Sequence, residues 1–402
     1  MFAGLNRKQI LFIFVAVVTL AALLFAFKYK SKQNNLLYVN EAIRIGQDNL
    51  LARKIAVTGL FIYDFDLSTL KAAAQDHEVR QMGAIYALAQ AAEFENNPQR
   101  KKNFTDELKD SVNKVKQMSY TFKCGERKCV ILSYHDKTAT GSIYLLFNAA
   151  LILAKMDSVW LDENKTWLKQ LLNTVLWTQK ENGDFAVLVK SENDREFINL
   201  SDSFGFAIGE AVNSLARATL LHGGGVFKDE LSDIEKALND AFEFLQKRGA
   251  QNKYHGLYLW LMDAAYLAKQ NAELDKALQD KIVAFTLDYH KYNKSKIYIV
   301  GKYNSCADSE GLARLIWLKQ QAGVDYNADK ELFLESINSN LDMQIARRNQ
   351  KLLKRKLQLE DSVFNDQLFK GAFLSTLDKS KANLRVDYLQ HCLSMLYFYD
   401  KI

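Results

Sequence analysis

"GSIYLLFNAALILA", residues 141–154, contains no charged side chain and offers no polar face when wound as a helix. A surface helix keeps a polar stripe, so a helix that is apolar all round is packed on every side. Five other segments, rich in Ala, Gly and aromatics with few charges, come close to this character: "RQMGAIYALAQAA" (80–92), "FGFAIGEAVNSLARA" (204–218), "YHGLYLWLMDAAYLA" (254–268), "SEGLARLIWLKQQA" (309–322) and "VDYLQHCLSMLYFY" (386–399). Between them lie half-charged amphipathic stretches, such as "FTDELKDSVNKVKQM" (104–118), "LSDIEKALNDAFEFLQ" (231–246) and "ADKELFLESINSNLDMQI" (328–345). Helices are expected near 35–48, 77–95, 100–118, 141–155, 160–180, 204–222, 229–247, 255–270, 273–290, 306–322, 329–347 and 384–400.

Six buried helices alternating with outer ones read as repeated helical hairpins. An open array of such hairpins needs polar capping repeats at its ends. A closed ring needs none, because its last hairpin packs on its first, and the helix at 35–48 supplies an outer partner for the last inner helix. The chain has a single proline, Pro98, where average usage of about 5% would give roughly twenty. Long helices accommodate that scarcity better than the turns of a β-sandwich do. Strand-like pieces fall between hairpins: "KIAVTGLFIYDFD" (54–66), "SYTFKCGERKCVILSY" (119–134), "GDFAVLV" (183–189) and "KGAF" (370–373). The expected architecture is therefore all-α, a toroid of six hairpins over residues 34–402 with short β-hairpins at its rim.

"ILFIFVAVVTLAALLFAF" (10–27) is 18 residues without a charge, long enough at 1.5 Å per residue to cross a bilayer core of about 30 Å. "FAFKYK" after it lacks the small residues of a cleavage site. Residues 1–33 are read as an uncleaved single-pass anchor. Arg7 and Lys8 before the run balance Lys28, Lys30 and Lys32 after it, so flanking charge does not orient it. Cys124 and Cys129 bracket "GERK" between two strand-like runs, which places them opposite each other in a hairpin as a candidate disulfide. A disulfide there implies an extracytoplasmic domain. Net charge is +6, but the 53 basic and 47 acidic residues interleave, which excludes a nucleic-acid-binding arm.

The segments "GLFIYDFD", "EVRQMGAIYALAQ", "TGSIYLLFNAALILAK", "TQKENGDF", "IGEAVNSLARA" and "LRVDYLQHCLSML" together resemble the (α/α)6 toroids of the six-hairpin glycosidase-like superfamily. The resemblance covers roughly residues 50–402. It implies a carbohydrate-active protein, and it leaves the reaction open because these toroids host hydrolases, lyases, epimerases and binding proteins. Two departures stand out. No acidic pair sits in a rim loop as in glycosidases of this shape. "TQKENGDF" resembles a turn of terpene-cyclase toroids, without their acid motif. Cys306, His391 and Cys392 match the ligand types of zinc-binding toroids, but neighbouring residues on one helix point about 100° apart. No metal and no other cofactor is expected.

Polar residues gather at the heads of the inner helices. In a ring of parallel inner helices those heads share one mouth. Glu210, Glu310, Asp387 and His391 are the candidates for acid–base catalysis. Arg80, His255, Arg314 and Gln390 are candidates for substrate binding, and Tyr63, Tyr86, Tyr258 and Trp260 for sugar stacking. The leading reading is a membrane-anchored cell-envelope protein acting on a polysaccharide. A non-catalytic scaffold or binding module of an envelope assembly is the second, and a terpenoid-type cyclase the third.

Overall fold

The computed structural model of the protein describes residues 36–73, 76–132, 137–191, 194–196, 203–221, 226–254, 256–294 and 303–402. The apolar run 10–27 and His255 lie outside them. Among the described residues no helix is long and apolar enough to cross a membrane.

Helix α1 spans 36–53. It is followed by α2 (Glu78–Phe94), α3 (Pro98–Met118), α4 (Thr140–Met156), α5 (Ser158–Trp177), α6 (Ser203–Thr219) and α7 (Leu231–Arg248). Then come α8 (Leu257–Gln270), α9 (Lys276–Asn293), α10 (Cys306–Gln321), α11 (Asn327–Leu341), α12 (Gln350–Leu357) and α13 (Val386–Leu396). Burial sorts them as composition does. Every residue of α4 from Thr140 to Ala154 is buried, whereas α3 buries one stripe, Phe104, Leu108, Ser111, Val112 and Val115. Inner helices pack in the cyclic order α2, α4, α6, α8, α10, α13 and back to α2. This is the (α/α)6 toroid.

The ring closes across the chain ends. On α1, a Cβ at Gly46 would stand 3.0 Å from the Leu393 side chain of α13, a tight contact that glycine avoids. Gln47 of α1 donates to the Tyr397 hydroxyl at 3.3 Å. The first helix thus serves as the outer partner of the last.

The two rims differ. At the carboxyl ends of the inner helices most connections are short; Asp157 alone separates α4 from α5, and its side chain caps α5 by accepting from the Trp160 amide. The amino-end rim carries the long connections and small sheets. Ser119–Cys124 pairs with Arg127–Leu132, and Thr138–Ala139 pairs with Leu188–Ser191. Residues between α11 and α13 build a second small core around Phe65, Met343, Leu353, Phe364 and Leu374. The "TQKENGDF" turn stitches hairpins together: Gln179 donates to the Ala237 carbonyl at 2.8 Å, and Gly183, at φ +91°, leaves no room for a Cβ against the Asp240 carbonyl.

All four cysteines are paired. Cys124 and Cys129 face each other in the expected hairpin with Cα atoms 5.8 Å apart. Cys306 and Cys392, weighed from sequence as zinc ligands, instead join the head of α10 to α13 with Cα atoms 4.7 Å apart. Their thiols are spent on each other.

Candidate functional site

Parallel inner helices bring six amino ends to the long-loop mouth. A cavity of about 330 Å³ opens there, lined by Arg80, Asp308, Arg385, Asp387 and His391, with Phe206, Tyr254, Tyr258, Tyr289 and Tyr388 as aromatic walls. These residues come from the first two turns of α2, α6, α8, α10 and α13, from Tyr289 of α9 and from the loops before α8 and α13.

Asp387 is the best-held group. Arg385 grips it two-pronged, Nε at 3.0 Å and Nη2 at 2.7 Å, and Arg80 Nε approaches from α2 at 3.4 Å. The planar Arg385 fork matches the carboxylate geometrically, and Arg80 adds a second guanidinium to it. Arg385 also lies 4.6 Å over the Tyr388 ring. Tyr63 stands beside this group, half-buried; burial, then the Asp387 charge, push its phenol up.

His391 faces the cavity from α13, and its Nδ1 lies 2.9 Å from Glu310 Oε2 on α10. Glu310 also accepts from the Ser394 hydroxyl at 2.5 Å and lies 3.5 Å from Arg314 Nη2. Glu310 is buried and does not line the cavity; it holds His391 from behind. With the proton on Nδ1, bound to Glu310, Nε2 keeps a lone pair.

Three carboxyls near this mouth, Asp308, Glu210 and Glu78, are held toward their protonated forms. Burial pushes Asp308 up to about 6, with Lys253 and His391 partly offsetting it. Burial pushes Glu210 up to about 8, with Arg80 opposing. Glu210 fits beside α4 because position 141 is glycine; a Cβ there would meet its Oε2 at 2.3 Å. Glu78, at the start of α2, is raised to about 7 by burial although the Ala139 amide donates to it, and its Oε2 has no partner among the described residues. Asp308, as a polar residue at the head of an inner helix, is expected at this mouth from sequence, though without an assigned role; Glu78 was missed. Both occupy the first turn of an inner helix, the signal used for Arg80 and Asp387.

The remaining candidates lie deeper. Tyr86 is fully buried, its hydroxyl accepting from Arg217 at 2.9 Å. Trp260 is buried beside Tyr86. Arg314 donates to Asp263 at 3.0 Å and to Ser394 Oγ at 2.7 Å. None of the three lines the mouth cavity. Gln390 is buried against Gly83 of α2, which leaves room for its amide. Tyr258 does line the cavity, but its hydroxyl turns away to His290 Nδ1 at 2.9 Å.

No family model and no curated protein matches the chain in sequence. Solved structures do match in shape. The chain is similar to a cellobiose 2-epimerase of Bacillus thermoamylovorans, with TM-score 0.58 and 11% identity over 91% of this chain and 100% of that one. It is similar to an alpha-1,6-mannanase of a Salegentibacter species, with TM-score 0.56 and 9% identity over 90% and 99% of the two chains. A D-mannose isomerase gives TM-score 0.56 and 14% identity over 90% and 97%. At such identities the likeness establishes the fold: the chain is an (α/α)6 toroid, with the architecture of these sugar-handling proteins.

Proposed function

We propose that this is an enzyme of carbohydrates that works by acid–base chemistry in the long-loop mouth. The observation that carries the reading is His391, set at the cavity with its Nδ1 on buried Glu310 at 2.9 Å. Such a dyad presents Nε2 as a proton acceptor. Asp308, raised to about 6, shares the cavity and supplies a proton donor over the lower part of the physiological range. Asp387 with Arg80 and Arg385 holds hydroxyl groups, and the tyrosine walls give faces for sugar rings. The solved structures of similar shape include an epimerase, an isomerase and a mannanase.

Residues 10–27 anchor the protein in a membrane, and the toroid stands on the extracytoplasmic side of the envelope, on a polysaccharide. Support for export comes from the cysteines, all four of which form disulfides.

A binding module is the second reading, favoured by one observation. Asp387, Arg80 and Arg385 neutralise one another, as structural ion pairs do. The test is a panel of oligosaccharides incubated with the protein and with His391→Ala and Asp387→Ala, followed for cleavage and isomerisation. Conversion by the wild type and none by His391→Ala is expected. Binding without conversion by the wild type selects the module, and neither binding nor conversion removes both readings.

A further inference from the structure

The opposite mouth, at the short-loop rim, holds a second cavity of about 300 Å³, a volume at the small end of ligand pockets. Its charged lining is Lys155, Arg217, Arg314 and Lys401 against Glu93 and Asp263. The two carboxylates are already used: Asp263 by Arg314 at 3.0 Å and Arg217 at 3.5 Å, and Glu93 by Lys155 at 3.2 Å. Lys401 makes no direct ion pair among the described residues, although the Glu93 charge acts on it across the cavity wall. It lies 4.5 Å over the Phe94 ring and 4.7 Å over Phe398, whose ring also carries the Arg314 guanidinium at 3.9 Å. Positive charge at helix carboxyl ends is favourable by itself. Here the outer helices run the other way and set their amino ends at the same rim, which reduces that demand.

A neutral group completes the set. Gln90 is 2% exposed and lines this cavity. Its Nε2 donates to Ser394 Oγ at 3.0 Å. Ser394 gives its own proton to Glu310, so toward Gln90 it can only accept, and this fixes the amide orientation. The Gln90 Oε1 is left buried without a partner. An orphaned acceptor of this kind is costly unless a donor arrives.

We propose that the short-loop mouth is a second ligand site, for a small anion that also carries a hydroxyl group. The anionic group meets Lys401 and Arg217, and the hydroxyl donates to Gln90. Sugar acids and sugar phosphates share this chemistry. Neutral sugars lack the charge, and inorganic phosphate lacks the carbon frame that would rest on Phe94, Tyr266 and Phe398.

The test is calorimetry on the full-length protein with D-glucuronate, glucose 6-phosphate, D-glucose and inorganic phosphate. One or both sugar anions should bind at least tenfold more tightly than glucose and phosphate, and the two arms tell carboxylate from phosphate. Lys401→Gln should weaken that binding about tenfold and Lys401→Arg should restore it, since a charge-assisted contact is worth about that factor. Asp308→Asn, in the other mouth, should leave it unchanged. Equal affinity for glucose and the sugar anions overturns the proposal. So does binding lost in Asp308→Asn but kept in Lys401→Gln, which puts the anion in the long-loop mouth.

Discussion

His391 and Glu310 meet across the α10–α13 seam, Nδ1 to Oε2 at 2.9 Å, with the histidine at the cavity and the carboxylate sealed behind it. The two helices are tied at that height by Cys306–Cys392, next to His391 in the chain. Glu310 is thus a positioning residue, and its loss should differ in kind from loss of His391.

Glu310→Gln cannot accept the Nδ1 proton with a charged group, so the ring loses its tautomeric preference. Turnover is expected to fall about a hundredfold with KM nearly unchanged, and the pH–rate profile should move. His391→Ala should remove turnover altogether while leaving the helical circular dichroism intact. A Glu310→Gln enzyme with an unaltered pH profile would mean that the dyad is architecture.

Glu210 gives a prediction about stability. Its carboxyl, ordinarily at 4.5, is raised to about 8 by burial in the fold. Between those values the folded protein holds a proton that the unfolded chain has released. Stability from this group therefore falls as pH rises through the window and levels off above it. Glu210→Gln carries no such proton. Its stability relative to wild type should improve from pH 5 to pH 8 by a few kcal/mol, on the order expected for a shift of this size. Parallel melting curves at the two pH values, with no change in the difference, would contradict the buried, protonated carboxyl.

The disulfides should rank by the loops they close. Cys306–Cys392 spans 86 positions and Cys124–Cys129 spans 5. Chain-entropy reasoning gives about 4–5 kcal/mol for the former and about 2 kcal/mol for the latter. Denaturant unfolding of the two Cys→Ser double variants measures both; a larger loss from the short loop would reverse the ranking. Alkylation before mass spectrometry of protein from its native compartment should find no free thiol.

Removing residues 1–33 should release the toroid into the soluble fraction with its helical content intact, because the long apolar run lies within those residues and the rest of the sequence has globular composition. A truncated protein that stays with the membranes would show that something other than residues 10–27 holds it there.

Much of the architecture was legible in the chain because inner and outer helices differ in composition, and composition does not depend on knowing the partner. Ring closure by the first helix followed from needing an outer partner for α13. The hairpin at "CGERKC" was legible because its partners are local. Pairing of Cys306 with Cys392 was not, since nothing near either residue points to the other. Depth was the second blind spot. Arg314 and Tyr86 lie eight residues into their helices, about 12 Å below the heads at 1.5 Å per residue. They serve the network under the mouth, where Arg314 meets Asp263 and Tyr86 meets Arg217. Helix α12 and the small core it joins carry no apolar all-round segment and were absent from the sequence reading.

Closure of the ring by α13 also sets an order in time. A ribosome delivers α2 through α11 before the helix that seats between α10 and α2. Until α13 emerges, the faces of α2 and α10 that it covers have no neighbour, and Arg80, Glu310 and Cys306 lack Asp387, His391 and Cys392. The nascent chain is an open arc with neither a finished core nor a site. A product that terminates early can neither shut the ring nor form the long-range disulfide, and it would display apolar surface to chaperones and proteases. Closure of the core and assembly of the mouth are thereby a single event.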